Sequence, residues 1–444
     1  MTGSWPPSIE PGSAGSMIEI PAGRRASGRL RPPSSKSLTH RALALALLSR
    51  QRTVVRQPLA AEDTDLFLGA LATLGFHCER TSGDAEAVVI TPPDRLPRAA
   101  TIACGNAGTM FRFLVAIAAT LPGSFRIDGI PRLRERPIRP LTRALQSLGV
   151  AIDFEGEEGH APLVVHGGRL PGGRVRLDAS ASSQYLSALL LAGQCAESPL
   201  EVEVAELASA PYVGLTLDMI ERFGGRVETV ADRRWIARPG GLRGGDVEIE
   251  ADFSAAAYPA AAAAVSGGTV RIDGAARSSR QGDRRLFDLL AEMGAKVSWS
   301  ADGATVEGGS ALTAVDADLG DIPDQVPTLA ALAPFARGTT RIRNVAHLRI
   351  KESDRLAAMT CELRRAGAEV EELPDGLVIP GRWAERAPPD SSVVVDPHGD
   401  HRIAMAMALV GLRRPNLAIS DPACVGKSYP GFWLDLGRLL AGGA

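Results

Sequence analysis

Apolar runs and polar strings alternate along this chain with a long period. From Phe113 to Asp153, an apolar run (FLVAIAATLPG) leads into Phe-Arg-Ile, a basic loop, and a stretch with Leu141, Leu145 and Leu148 at helical spacing. From Ala260 to Ser298 the order is the same: AAAAAVSGG, then Val-Arg-Ile, a basic loop, and Leu286, Leu289, Leu290 and Met293. Ala330–Glu371 repeats the scheme, fainter copies cover Arg41–Glu79 and Leu189–Glu228, and a shorter one begins at His401. The apolar runs predict small-residue helices, and a leucine stripe predicts a helix that buries one side. Short Val- and Ile-rich segments such as Val393–Val395 predict strands. The first helices of the six copies are expected to start near Lys36, Asn106, Ser183, Ser254, Gln325 and His401, roughly 70–77 residues apart. Each copy holds about two helices and three or four strands. Helical solenoid repeats have about half this period and no strands, so they are excluded.

The predicted helix entrances carry an unusual set of polar residues. They read Ser35-Lys36-Ser37, Asn106-Ala107-Gly108-Thr109, Ser182-Ser183-Gln184, Asp324-Gln325 and Asp400-His401-Arg402. Ser, Asn and Asp are favoured caps for the unpaired N–H groups of a first turn. Lys, Arg and Gln cap nothing. Free N–H groups and the positive end of the helix dipole make such an entrance an anion site, which added cations strengthen. Several of them together suit a small molecule with more than one negative charge. No Walker string and no GxGxxG after a strand is present, so a nucleotide loop is unsupported.

Composition narrows the class. At 444 residues, 45% hydrophobic and 23% charged, this is an ordinary globular chain long enough for two or three domains. A net charge of −2 argues against a nucleic-acid surface, and no apolar run has membrane-spanning length. Residues 1–16 are rich in Gly, Ser and Pro and read as a disordered leader rather than a signal peptide, which makes the cytoplasm the expected compartment. Five cysteines without a CxxC pair and seven histidines without HExxH give no metal-ligand spacing, so neither a metal nor a disulfide is expected. Of 49 basic residues only Lys36, Lys296, Lys351 and Lys427 are lysines. Three of these sit in polar strings and are candidates for work that a planar, permanently charged guanidinium cannot do. Lys296, in Gly-Ala-Lys-Val-Ser, reads as an ordinary strand-edge charge.

Taken in order, the strings resemble those of the EPSP synthase family, the 3-phosphoshikimate 1-carboxyvinyltransferases, from about Ile18 to Leu440. They are Ser35-Lys36-Ser37 with Arg41, Gly105–Thr109 with Arg112, Arg134–Pro137, Ser182-Ser183-Gln184, Ser209–Tyr212, Ile322-Pro323-Asp324, Lys351–Arg355, Asp400–Arg402 and Lys427. The resemblance implies an α/β fold, a two-domain inside-out α/β barrel of six βαβαββ repeats. Residues 17–34 with 253–444 would form one domain and 35–252 the other, with the site in the cleft between them closing on substrate. It implies transfer of the enolpyruvyl group of phosphoenolpyruvate to the 5-hydroxyl of shikimate 3-phosphate, by a monomer needing no cofactor. Asp324, Glu352 and Lys36 are the implied catalytic residues. Lys36, Asn106, Gly108, Arg136, Gln184, Arg355, Arg402 and Lys427 are implied to hold phosphoenolpyruvate. Lys36, Ser37, Arg41, Ser182, Ser183, Gln184, Ser209, Asp324 and Lys351 are implied for shikimate 3-phosphate. His347 stands where familiar bacterial members carry Asn. UDP-N-acetylglucosamine enolpyruvyltransferases share the fold but usually carry a reactive Cys in the loop equivalent to Pro131–Pro137, which here has none. A non-catalytic phosphometabolite sensor would have no use for both Asp324 and Glu352.

Overall fold

A computed structural model of the chain describes residues 17–81 and 86–442; the expected leader at 1–16 lies outside them. The chain divides into two compact units. One runs from Ser34 to Glu250, and the other joins the segment ending at Pro33 to Ala251–Ala444.

Within each unit three helices are buried on all sides. In the first they are Lys36–Ser49, Gly108–Ala118 and Gln184–Ala192; in the second, Phe253–Ser266, Val326–Leu332 and His401–Gly411. These are the uniformly apolar runs of the sequence, and they begin within two residues of the expected positions. Leu38 to Leu48 are all buried, as are Phe253 to Val265. A helix with no polar face has to lie inside, and in each unit the three pack against one another.

The leucine-striped helices cover these cores from outside. Arg139–Ser147 buries Leu141, Thr142, Ala144 and Leu145, and Arg285–Glu292 buries Leu286, Phe287, Leu289 and Leu290. Fully burying one such Leu or Phe is worth about 1.5–3 kcal/mol. All six outer helices end in the same way. Each is closed by an apolar residue and a glycine at positive φ: Gly75, Gly149, Gly224, Gly294, Gly367 and Gly442, with φ of 89, 88, 76, 102, 95 and 90°. That left-handed turn satisfies the last helical carbonyls and sends the chain into the next segment. The Leu-Gly and Met-Gly pairs of the repeats are these stops.

Each repeat lays a parallel strand pair across its inner helix and then adds antiparallel strands. Ala99–Ala103 pairs in parallel with Gly123–Asp128, and Leu163–Gly167 and Ala151–Phe154 follow antiparallel. Gly173–Ala179, Leu200–Leu207, Arg234–Arg238 and Arg226–Ala231 repeat this order, as do Asp316–Asp318, Thr339–Arg343, Gly376–Pro380 and Glu371–Leu373. Three sheets take a strand from far along the chain. Thr53–Arg56 pairs in parallel with Asp246–Glu248, Thr269–Asp273 pairs in parallel with Gly28–Leu30, and Leu417–Ser420 pairs antiparallel with Met17–Ile20. The short sixth repeat is thus completed by the first described strand.

Candidate active site

In the Ser34–Glu250 unit the polar residues gather at the starts of the inner helices. Ser35 caps the first, accepting the Leu38 N–H at 3.4 Å. Beside it Lys36 Nζ lies 3.1 Å from Asp63 Oδ2, and both side chains are largely buried. One turn on, Arg41 is wholly buried. It donates to Thr216 Oγ1 (2.8 Å) and to the carbonyls of Ser37 (2.8 Å) and Tyr212 (2.9 Å), and lies over the Phe113 ring. Burial pulls its pKa down to about 10, so it still carries its charge at neutral pH. Tyr212 in turn donates its N–H to the carbonyl of Ser209, which is buried at φ 55. A non-glycine residue in that region is strained, and such strain gathers at functional positions.

The second and third entrances are bonded to each other. Arg112 Nη1 donates to Gln184 Oε1 at 2.6 Å, and Gln184 Nε2 donates to Thr109 Oγ1 at 2.9 Å. Ser182 and Ser183 are buried just ahead of Gln184. In the Arg-rich loop the three arginines differ. Arg132 and Arg134 face solvent and pair with Glu135 and Asp128, whereas Arg136 turns inward and is buried. Arg136 donates to the Asn106 carbonyl at 3.3 Å, and its guanidinium lies against Gly108, where a Cβ would come within 2.6 Å of it. Tyr185 pins the loop by donating to the Pro137 carbonyl at 2.6 Å.

The other unit gathers charge of both signs. Arg355, with an almost fully buried side chain, holds three carboxylates: Asp400 (2.7 Å), Asp324 (2.8 Å) and Glu352 (2.9 Å). Arg402 takes the other oxygen of Asp324 at 2.7 Å. Burial alone would raise the pKa of Asp324, but Arg402, Arg355 and Lys351 outweigh it and hold the carboxyl well below the usual carboxylate range. The same carboxylates raise the pKa of Arg355 despite its burial. Lys427 is buried at the end of the Pro422–Lys427 turn. His347 is held neutral: chiefly burial, then the charge of Lys351, pull its pKa down to about 4, against the pull of Asp324.

Asp324 caps no helix, because both its oxygens are taken by arginines. Most of the Lys351–Arg355 string precedes its helix, which starts only at Arg355, behind an Asp354 cap. Arg112 and Asp400 belong to the quoted strings but have no role assigned from sequence. Arg112 bridges two helices. Asp400 accepts the Arg402 N–H (3.0 Å) and the Ser353 hydroxyl (3.1 Å) as well as Arg355. Asp63 carries no sequence signal at all, since it lies in an ordinary acidic first turn. Lys296, as read, sits on a strand edge, exposed and paired with Glu307.

Buried cations at the helix starts of the Ser34–Glu250 unit suit a polyanion, and the arginine-clamped carboxylates of the other unit suit groups that exchange protons. The chain's relatives agree. The family model for EPSP synthase (3-phosphoshikimate 1-carboxyvinyltransferase) matches residues 20–436. A 3-phosphoshikimate 1-carboxyvinyltransferase of Syntrophobacter fumaroxidans is 45% identical over 409 residues, covering 91% of this chain and 95% of the relative. The chloroplastic enzyme of Petunia hybrida is 40% identical, covering 92% and 82%. The solved structure of EPSP synthase from Acinetobacter baumannii superposes with a TM-score of 0.77 at 26% identity, over 96% of this chain and 98% of that one. The chain belongs to the EPSP synthase family.

Proposed function

We propose that the chain transfers the enolpyruvyl group of phosphoenolpyruvate to the 5-hydroxyl of shikimate 3-phosphate, releasing phosphate, as a step toward aromatic amino acids. The cluster of Asp324, Glu352, Arg355 and Arg402 is the observation that carries this reading beyond the family name. Both substrates carry a phosphate and a carboxylate, which the buried cations would meet with charge-assisted bonds.

The reaction forms a bond from the 5-oxygen to C2 of phosphoenolpyruvate while the methylene carbon gains a proton. The resulting tetrahedral intermediate loses phosphate and returns a proton from the methyl group. Glu352 is assigned to the carbon and Asp324 to the hydroxyl, and Lys36 to proton exchange with the substrates. Clamped by two arginines, Asp324 is a weak base. Arg355 and Arg402 are also the residues assigned to phosphoenolpyruvate, so a bound anion would draw them off Asp324 and raise its basicity. Catalytic competence thus follows substrate binding.

Arg136, Asn106, Gly108, Gln184 and Lys427 complete the phosphoenolpyruvate set. Ser37, Arg41, Ser182, Ser183, Ser209 and Lys351 hold shikimate 3-phosphate with Lys36, Gln184 and Asp324. His347 joins them. A neutral imidazole offers one donor and one acceptor without charge, as the amide of an Asn does. Phosphorylated metabolites are kept inside cells, which supports a cytoplasmic enzyme. Phosphate release from phosphoenolpyruvate, measured with each acceptor in turn, tests the reading. Release is expected with shikimate 3-phosphate; release only with UDP-N-acetylglucosamine, or with neither, overturns it.

A further inference from the structure

Three metal-ligating side chains meet in the unit that holds Asp324, on residues with no part in the reaction above. Cys361 and Glu362 lie near the end of the Arg355–Arg365 helix, and His398 lies in the loop between the Val393–Val395 strand and the His401–Gly411 helix. A sulfur, a carboxylate oxygen and an imidazole nitrogen, one from each, lie within 4.8 Å of one another. Glu362 is fully buried, and its Oε1 is 3.1 Å from His398 Nε2. The loop is folded onto this carboxylate from a second point, since the Asp396 N–H donates to Glu362 Oε2 at 3.2 Å. His398 itself sits at φ 54, with its N–H donating to Asp396 Oδ1 at 2.7 Å. Arg365 lies over both Glu362 oxygens, at 3.1 and 3.0 Å, with its own side chain 45% exposed. Cys361 and His398 reach solvent.

A thiolate, an imidazole and a carboxylate together select borderline-soft divalent ions over magnesium or calcium, which prefer all-oxygen shells. Zinc takes such ligands at about 2.0–2.3 Å in a tetrahedron, which sets the ligand atoms about 3.3–3.7 Å apart. Small rotations of the exposed Cys361 and His398 would close the present spacing onto the fixed Glu362. We propose that Cys361, Glu362 and His398 form a binding site for a thiophilic divalent cation of the zinc and cadmium class, with water as the fourth ligand. The thiol proton passes to solvent as the sulfur takes the ion. The ion ties the loop that leads into Asp400 to the helix that begins at Arg355. Arg365 is its competitor for Glu362.

The test uses the full chain and the metal alone. Cadmium is followed by its ultraviolet thiolate charge-transfer band and zinc by calorimetry, with magnesium for comparison. One equivalent of cadmium and of zinc is expected to bind, and none of magnesium. Cys361→Ser removes the band, while the same change at the other exposed cysteine, Cys195, leaves it intact. His398→Gln weakens binding at least about tenfold. Arg365→Gln tightens it. Phosphate release by Cys361→Ser is expected to match the parent, which shows that the variant is folded. Lack of saturable binding, or a band that survives Cys361→Ser and vanishes in Cys195→Ser, overturns the site whether or not the proposed reaction is correct.

Discussion

Asp324 accepts from two guanidiniums at once, and that double pairing separates chemistry from mere charge balance. Asp324→Asn and Glu352→Gln keep shape and remove a proton acceptor or donor. Each is expected to lower kcat by about 10²–10⁴, and Asp324→Asn is also expected to lower the melting temperature, because Arg355 and Arg402 lose a charged partner. A raised KM at unchanged kcat would assign these residues to binding instead. His347 makes a second prediction at this scale. Its imidazole is neutral in the fold down to about pH 4, but in the unfolded chain it takes a proton near its usual value of about 6.5. Between those values the unfolded chain binds more protons. Stability therefore falls as pH drops from about 7 and levels off below about 4, a loss on the order of 3 kcal/mol. His347→Asn is expected to flatten that slope in denaturant titrations while retaining turnover. An unchanged slope would show that the ring already has its usual pKa in the fold.

At the scale of elements, helix entrances do two jobs. Gly108 opens the second inner helix and leaves the space that the Arg136 guanidinium fills. Gly108→Ala is expected to push that guanidinium aside and raise KM for phosphoenolpyruvate at least about tenfold, with KM for shikimate 3-phosphate changed less. Asp400 caps the last inner helix and also neutralises Arg355. Asp400→Ala leaves a buried cation short of one partner and a first turn uncapped, so a loss of about 3–5 kcal/mol is expected in thermal or denaturant unfolding. Asp400→Asn keeps a capping oxygen and should lose less. Equal losses would mean that the charge alone matters.

The whole molecule is assembled asymmetrically. Among the described residues, the three sheets of the Ser34–Glu250 unit draw their strands from within it. Ala251–Ala444 lacks Met17–Ile20 and Gly28–Leu30, which complete two sheets of the other unit. Expressed alone, 34–250 is expected to unfold cooperatively and to have no turnover, whereas 251–444 should aggregate through its uncovered strand edges. Circular dichroism melts and size-exclusion chromatography of the two fragments check this. A well-behaved 251–444 fragment would show that the borrowed strands contribute little.

Much of this was legible in the chain because its signals are local and repeated. An apolar run with no polar face has one stable place, inside. An apolar residue and a Gly at positive φ close each of the six outer helices, and these six ends mark the six repeats. The order of the polar strings carried the family resemblance, since each is a contiguous string of residues. The pairings between distant segments were not legible. Which arginine of Arg132, Arg134 and Arg136 turns inward depends on the gap at Gly108, on another element. Asp63 meets Lys36, Arg112 meets Gln184, and His398 meets Cys361 and Glu362 only after folding, so no spacing along the sequence announces them. Local periodicity and stop signals determined the elements and their order. The packing of side chains from separate elements decided which charges are buried, which are paired, and how strongly each holds its proton.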